Sequence, residues 1–341
     1  MNGFQRIEAS LNGDTPDKIP IMLHNFMLAA REAGITMKQY REDPEKMAHV
    51  HIRFVEKYDV DGIMLDIDTV LLADAIGVPI DFPEDEPARA NGLLIQSYEQ
   101  LDDMEPVDIR KNERIMISLE AVNIMVKYFN GEIFIRGNCD QAPFSVANHV
   151  RGPADWMMDL LINEEFCLRL LDYCLDPCLQ YLELMAETGV HMLSNGDSPA
   201  GPDLIPPDMF TKYAKPYEIR MVQKAHELKL PYCNHICGNT DLILNDMLET
   251  GVDAVELDYK TDIQKIYDTF HDKITFFGNI DPSRVIAHGT PELVHEKVAE
   301  LLTVYQNSNR FVLNAGCAIP AETPEENIRM LVKTAREWNE D

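Results

Sequence analysis

Near the carboxyl end the chain reads Ile274-Thr275-Phe276-Phe277, then a segment of helical period over 291–306, then Phe311-Val312-Leu313-Asn314, then a second helical segment over 324–338. Short runs rich in β-branched and aromatic residues read as strands, and longer segments with apolar residues three and four apart read as helices. Asp281-Pro282, Thr290-Pro291 and Thr323-Pro324 each set a capping residue before a proline, whose missing N–H is harmless at the first helical position. Strand, helix, strand, helix is the signature of parallel strands joined by crossover helices.

Working outward, eight short apolar runs recur, at 19–23, 62–67, 133–136, 191–195, 231–236, 254–257, 274–277 and 311–314. Good helical segments lie between them, for example 164–188 and 207–230. Eight strands alternating with helices predict a (β/α)8 TIM barrel, a fold of about 250 residues that grows by insertion. The widest gap separates the second and third strands, and its acidic, proline-containing part at about 79–108 reads as an inserted excursion. With no Gly/Ser-rich linker, residues 1–341 are expected to form a single barrel domain. In such a barrel the chemistry sits at the carboxyl ends of the strands.

Composition narrows the function. Hydrophobic residues are 45% and charged residues 26%, so the chain has apolar surface enough for a core. Thirty Lys and Arg against 58 Asp and Glu give a formal charge of −28. Such a surface repels phosphate backbones and anionic membranes, which argues against nucleic-acid and membrane partners. No stretch approaches eighteen uncharged apolar residues, and Met1 to Glu8 has no basic segment leading into an apolar one, so a cytoplasmic protein is expected. Seven cysteines, at 139, 167, 174, 178, 233, 237 and 317, are an odd number for a disulfide framework and point to free thiols or metal ligands.

Two of those cysteines fall at strand ends. In the fifth run, Pro231-Tyr232-Cys233-Asn234-His235-Ile236-Cys237-Gly238, the alternation of a strand points His235 and Cys237 to the same side, toward the barrel mouth. The eighth run continues Ala315-Gly316-Cys317, which puts another thiol at the same rim. One imidazole and two thiols suit Zn²⁺, and three protein ligands rather than four leave a position for substrate. A substrate thiol entering there loses its proton and becomes a nucleophile, the chemistry of thiol alkylation. Strands five and eight are not neighbours, so both side chains must lean inward; the competing reading makes these cysteines small buried hydrophobes. Cys233 shares the side of His235 but lies lower, in the core, and Cys167, Cys174 and Cys178 on one helical segment read as packing residues.

At these residues the sequence resembles the uroporphyrinogen decarboxylase superfamily, in its zinc-dependent cobalamin methyltransferase branch, which includes the methylcobamide:coenzyme M methyltransferases. The matching stretches are His235-Ile236-Cys237-Gly238, Gly316-Cys317, Gly278-Asn279-Ile280-Asp281-Pro282, Thr323-Pro324-Glu325-Glu326-Asn327 and Pro16-Asp17-Lys18-Ile19-Pro20. The resemblance implies a zinc-dependent methyltransferase that moves a methyl group between a corrinoid and a small thiol or methylated substrate, with His235, Cys237 and Cys317 as zinc ligands. It also implies a separate corrinoid protein as partner, because this chain has no Asp-x-His-x-x-Gly signature; Asp268-Thr269-Phe270-His271 has the wrong spacing. A monomer or homodimer is expected.

The alternative is a metal-independent decarboxylase with Asp197 or Asp66 as acid; a noncatalytic barrel with a closed structural zinc is a third reading. The decarboxylases grip a polycarboxylated tetrapyrrole with an arginine- and glycine-rich N-terminal motif, whereas residues 24–32 here supply only Arg31. Gripping so many negative charges without a basic cluster is electrostatically poor. Arg136-Gly137-Asn138-Cys139-Asp140-Gln141 is also more polar than the corresponding turn of better-known members, which suggests a different substrate. Asp197 after the fourth strand and Glu256, with Asp258, closing the sixth are candidates to complete the metal coordination or hold substrate. Against this, Asp197 reads as a turn cap and Glu256 as half of a buried ion pair. His24 is a reserve ligand or acid/base, Asp281 an N-cap, and Asp66, Asp68 and Asp140 are expected to make the mouth acidic.

Overall fold

The computed structural model describes residues 1–338. Eight strands form one parallel sheet in chain order: β1 (Met22–Leu23), β2 (Gly62–Leu65), β3 (Phe134–Gln141), β4 (Met192–Gly196), β5 (Tyr232–Ile236), β6 (Ala254–Leu257), β7 (Thr275–Ile280) and β8 (Phe311–Ala315). A parallel bridge from Ile21 to Leu313 joins the first strand to the last, with Leu313 N–H donating to the Pro20 carbonyl at 2.8 Å. The eight expected runs are these eight strands, and the fold is a TIM barrel. Among the described residues no helix is long and apolar enough to cross a membrane.

The barrel interior is layered. Met22, Phe134, Met192, Cys233, Ala254, Phe277 and Val312, one from each of seven strands, form a small apolar floor that Ile7 plugs from the helix Gly3–Asn12. Side chains two residues farther along a strand point to the same side, one layer higher. That next layer holds His24, Met64, Arg136, His235 and Glu256. Apolar packing therefore closes the amino-terminal end and leaves polar groups at the open, carboxyl-terminal end.

The excursion between β2 and β3 makes a short antiparallel hairpin, Ile80–Asp81 with Arg89–Ala90. Arg41 straps it down by bonding the carbonyls of Pro83 and Glu86, and the Arg41 and Arg114 guanidiniums lie 5.8 and 5.0 Å from the Phe82 ring centre. Ala88, Ile95 and Leu101 join the same buried cluster as the barrel helices.

Two local expectations need correction. The segment 207–230 is not one regular helix: it passes through a wide π-type turn, Phe210–Ala214, before the helix Lys215–Glu227. Pro216 lacks the N–H that a regular turn needs at that point. Thr323 does not cap the last helix; its hydroxyl donates back to the Pro320 carbonyl at 2.8 Å, and Pro324 stands at the cap position before Glu325–Glu337. Asp281 and Thr290 do cap, accepting from Ser283 and Arg284 and from Leu293.

Candidate metal centre at the barrel mouth

His235 rides at the upper end of β5, and Cys237 follows where the chain leaves the strand. Gly238 then turns with φ of 87°, a left-handed conformation that favours glycine, and a Cβ there would lie 2.3 Å from Asp203 Oδ2. Cys317 follows β8 after Gly316, where a Cβ would sit 2.6 Å from the backbone nitrogen of Tyr259. The two glycines thus let the loops approach closely enough to lean both thiols over the mouth. His235 Nε2 lies 3.0 Å from Cys237 Sγ, Cys237 Sγ lies 3.5 Å from Cys317 Sγ, and the three ligand atoms are all within 4.8 Å of one another.

The surroundings orient these atoms. His235 Nδ1 is 3.0 Å from the backbone carbonyl of Glu256, an oxygen that can only accept, so Nδ1 carries a proton and Nε2 is the atom turned to the thiols. The Cys237 N–H donates to Ser198 Oγ at 3.1 Å, and Gly238 N–H to Asp258 Oδ2 at 2.9 Å. The hydrogen bond from the Cys317 thiol, aided by His235 and opposed by burial, draws Cys237 down to about 3. Cys317 is driven well above its ordinary value, chiefly by that same bond to Cys237. Burial pushes His235 down, but the Cys237 charge and their hydrogen bond outweigh it and hold the imidazole up at about 9. Metal-free, the trio is therefore an imidazolium, a thiolate and a thiol. Soft sulfur and imidazole donors of this kind match a zinc ion's preferences, and their clustering fits such an ion.

Beneath the trio, Glu256 pairs with Arg136, both 1% exposed or less. Its other oxygen lies 3.5 Å from His24 Nδ1 and 3.4 Å from His235 Nδ1. Burial alone would raise the Glu256 carboxyl, but Arg136 and the two imidazoles hold it well below the usual range. Glu256 is thus the buried half of an ion pair under the site. His24 Nε2 meets Asp66 Oδ2 at 2.8 Å.

Asp197 is not brought to the trio. Its carboxylate turns away from the mouth and accepts from both the N–H and the hydroxyl of Ser145, at 2.9 and 2.6 Å, on the first turn of the helix Pro143–Arg151. Burial lifts it to about 7, and it lies against Glu218, which is also fully buried and raised. Asp140 does not join the mouth either. A bulge between Asn138 and Gln141, with Asp140 at φ of 60°, turns its carboxylate onto Leu72 N–H at 2.7 Å. Asp66 and Asp68 do line the cavity, with Asp68 paired to Arg114. The sequence reading gave no role to Ser198 or Glu218, and took Arg136 only as part of a polar stretch facing substrate, not as the partner of Glu256. Glu218 left a trace there, as an acid inside the buried stripe of its helix with Tyr217, Met221, Val222 and Ala225.

The trio opens onto a cavity of about 320 Å³, also walled by Phe26, Met64, Pro87, Pro199 and Ala318. Residues 2–338 match the family described as uroporphyrinogen decarboxylase (URO-D). The chain belongs to the uroporphyrinogen decarboxylase family. Within the family, the methylcobamide:CoM methyltransferase MtbA of Methanosarcina acetivorans is 32% identical over 79% of this chain and 81% of its own length. A uroporphyrinogen decarboxylase of Trichodesmium erythraeum is 26% identical, covering 95% of this chain and 93% of its own. The solved structure of a methyltransferase from Methanosarcina mazei superposes with a TM-score of 0.90 over 99% of both chains at 23% identity, which shows the shared fold.

Proposed function

We propose that the chain is a methyltransferase that holds a zinc ion on His235 Nε2, Cys237 Sγ and Cys317 Sγ. In this reading it moves a methyl group between a corrinoid, carried by a separate protein, and a small thiol or methylated substrate. The observation that carries the reading is the meeting of one imidazole and two thiols within 4.8 Å at the carboxyl ends of β5 and β8, facing a cavity. Zinc bound there supplies Lewis acidity, which either draws the proton from an entering thiol or polarises a methylated donor.

The chain's own residues do the rest. The Glu256 carbonyl fixes which nitrogen of His235 faces the sulfurs, and the Arg136–Glu256 pair anchors that strand end from below. Ser198 holds the Cys237 backbone in place. Phe26, Met64 and Pro87 give the cavity an apolar side. A cavity of about 320 Å³ takes a small substrate and leaves a corrin macrocycle above the mouth, on its own protein. Free thiols at the site suit a reducing compartment such as the cytoplasm. The decarboxylase alternative would need several free cations for a polycarboxylate, and Arg136 on the cavity wall is already bound to Glu256.

The test is metal analysis of the purified protein beside Cys237→Ser and Cys317→Ser. One zinc per chain in the wild type, with zinc and methyl transfer lost in both variants, is expected. A metal-free wild type whose activity survives both substitutions overturns the reading.

A further inference from the structure

We propose that the hairpin inserted between β2 and β3 sets the length of the substrate through Pro87, so that the site takes a short thiol or methyl donor whose end remote from the reacting atom stops against the Pro87 ring. The proposal rests on the methyltransferase reading; it names the substrate class of that site and the residue that selects it.

Strand order places the hairpin. His235 and Cys237 come from β5 and Cys317 from β8, so the trio hangs over the side of the mouth formed by β6 and β7. Counting around eight strands, the gap between β2 and β3 lies directly opposite, and the chain that joins those two strands carries the hairpin. A molecule whose reacting atom meets the trio therefore points its other end toward the hairpin. The cavity reaches that far: Asp66, Thr69, Asn138 and Gln141, on or just after β2 and β3, line its wall. Among the described residues Pro87 is the hairpin's only contribution to that wall.

This side of the wall is built not to yield. Arg41, 3% exposed, bonds the carbonyls of Pro83 and Glu86, and the Glu84 carbonyl accepts the Lys38 N–H at 2.9 Å, so the hairpin tip is pinned to the helix Met37–Glu42. Directly after Pro87, Ala88 is buried in the main core. Asp66 beside it is held by His24 and Asn138, at 2.8 and 3.0 Å. Proline adds its own stiffness, since its ring has no rotamer with which to swing aside. In an open or yielding mouth, each methylene added to a thiol would bury more apolar surface and tighten binding about fourfold. Against a fixed ring, a chain longer than the span from the trio must fold back or draw its sulfur off the trio, and the gain is lost.

The experiment is a calorimetric titration of zinc-loaded wild type and Pro87→Ala with three uncharged thiols that differ only in length: 2-mercaptoethanol, 4-mercaptobutanol and 6-mercaptohexanol. In the wild type the six-carbon thiol should bind no more tightly than the two-carbon one. Pro87→Ala should bind the six-carbon thiol at least about tenfold more tightly than wild type does, and the two-carbon thiol within about twofold of it. A wild type whose affinity keeps climbing through the six-carbon member, or a variant that shifts all three thiols equally, overturns the proposal and leaves the methyltransferase reading standing. A zinc-loaded wild type that binds none of the three overturns both. Should Pro87→Ala fail to fold, the wild-type series still decides, because a yielding mouth gives the opposite trend with length.

Discussion

Glu256→Gln is the most informative single perturbation, because one carboxylate at the barrel centre serves three partners. Glutamine keeps the shape and removes the charge, which leaves the Arg136 guanidinium, 1% exposed, with no counter-ion. Deleting one partner of a buried ion pair costs roughly 3–5 kcal/mol. Against a total stability of about 5–15 kcal/mol, that is a large fraction. Equilibrium urea unfolding followed by circular dichroism reads it directly. Zinc affinity should fall by about tenfold, the low end for a residue behind a ligand, since the backbone carbonyl that holds His235 Nδ1 survives the substitution.

The pH dependence carries a sign. Glu256 is held below its ordinary value, so its contribution is complete above the unfolded carboxylate range, about 4.3, and drains away as pH falls from there toward the folded value. The gap between wild type and Glu256→Gln should therefore be full at pH 7 and shrink in acid. Replacing both partners, Arg136→Met with Glu256→Leu, should recover most of the loss, because an apolar pair buries no charge. A Glu256→Gln protein as stable as wild type at pH 7 would refute the claim that this pair anchors the site.

Three further outcomes follow from the same geometry. Zinc uptake at pH 7 should release about two protons, from His235 held at about 9 and from Cys317, with Cys237 already ionised; calorimetry in buffers of different ionisation enthalpy counts them, and no release contradicts the assigned charge states. With Cys237 and Cys317 sulfurs 3.5 Å apart and the other five cysteines buried, mild peroxide should convert metal-free protein to a Cys237–Cys317 disulfide and spare the zinc-loaded form; peptide mapping that finds another pair defeats this. Asp197 is raised by burial to about 7 beside Glu218, so the proton their pair shares stabilises the fold fully below the unfolded range, about 4, and that gain is lost as pH rises through 7. Glu218→Gln should flatten this loss, and unfolding midpoints at pH 6 and 8 that move in parallel for variant and wild type would count against it.

The sequence made the cluster of His235, Cys237 and Cys317 legible because strand alternation and strand-end placement are local rules: His235 and Cys237 follow the alternation of β5 from Cys233, and Cys317 follows the end of β8, out of step with inward-facing Val312. It misled where a neighbouring element decides direction. Asp197 also ends a strand, yet the buried first turn of the helix Pro143–Arg151 offers Ser145 N–H and hydroxyl and claims the carboxylate. Asp140 lies beyond the point where the bulge in β3 breaks the alternation, so counting by twos no longer gives its direction. Arg136 was visible as the end of the third run, but its partner lies 120 residues away, and no local pattern joins the two.

Layering explains why the partner had to be there. Seven apolar floor residues occupy the lower turn of the strands, and each strand's next inward position lies two residues higher, so Arg136, His235 and Glu256 share one desolvated level. Charges at that level are tolerated only in mutual contact, which forces Arg136 onto Glu256 and leaves the remaining carboxylate oxygen for His24 and His235. Apolar residues would fill the same space at little cost to stability, so stability does not account for the pair. What the pair supplies is a fixed direction for two imidazoles, one of which presents Nε2 to the two sulfurs above.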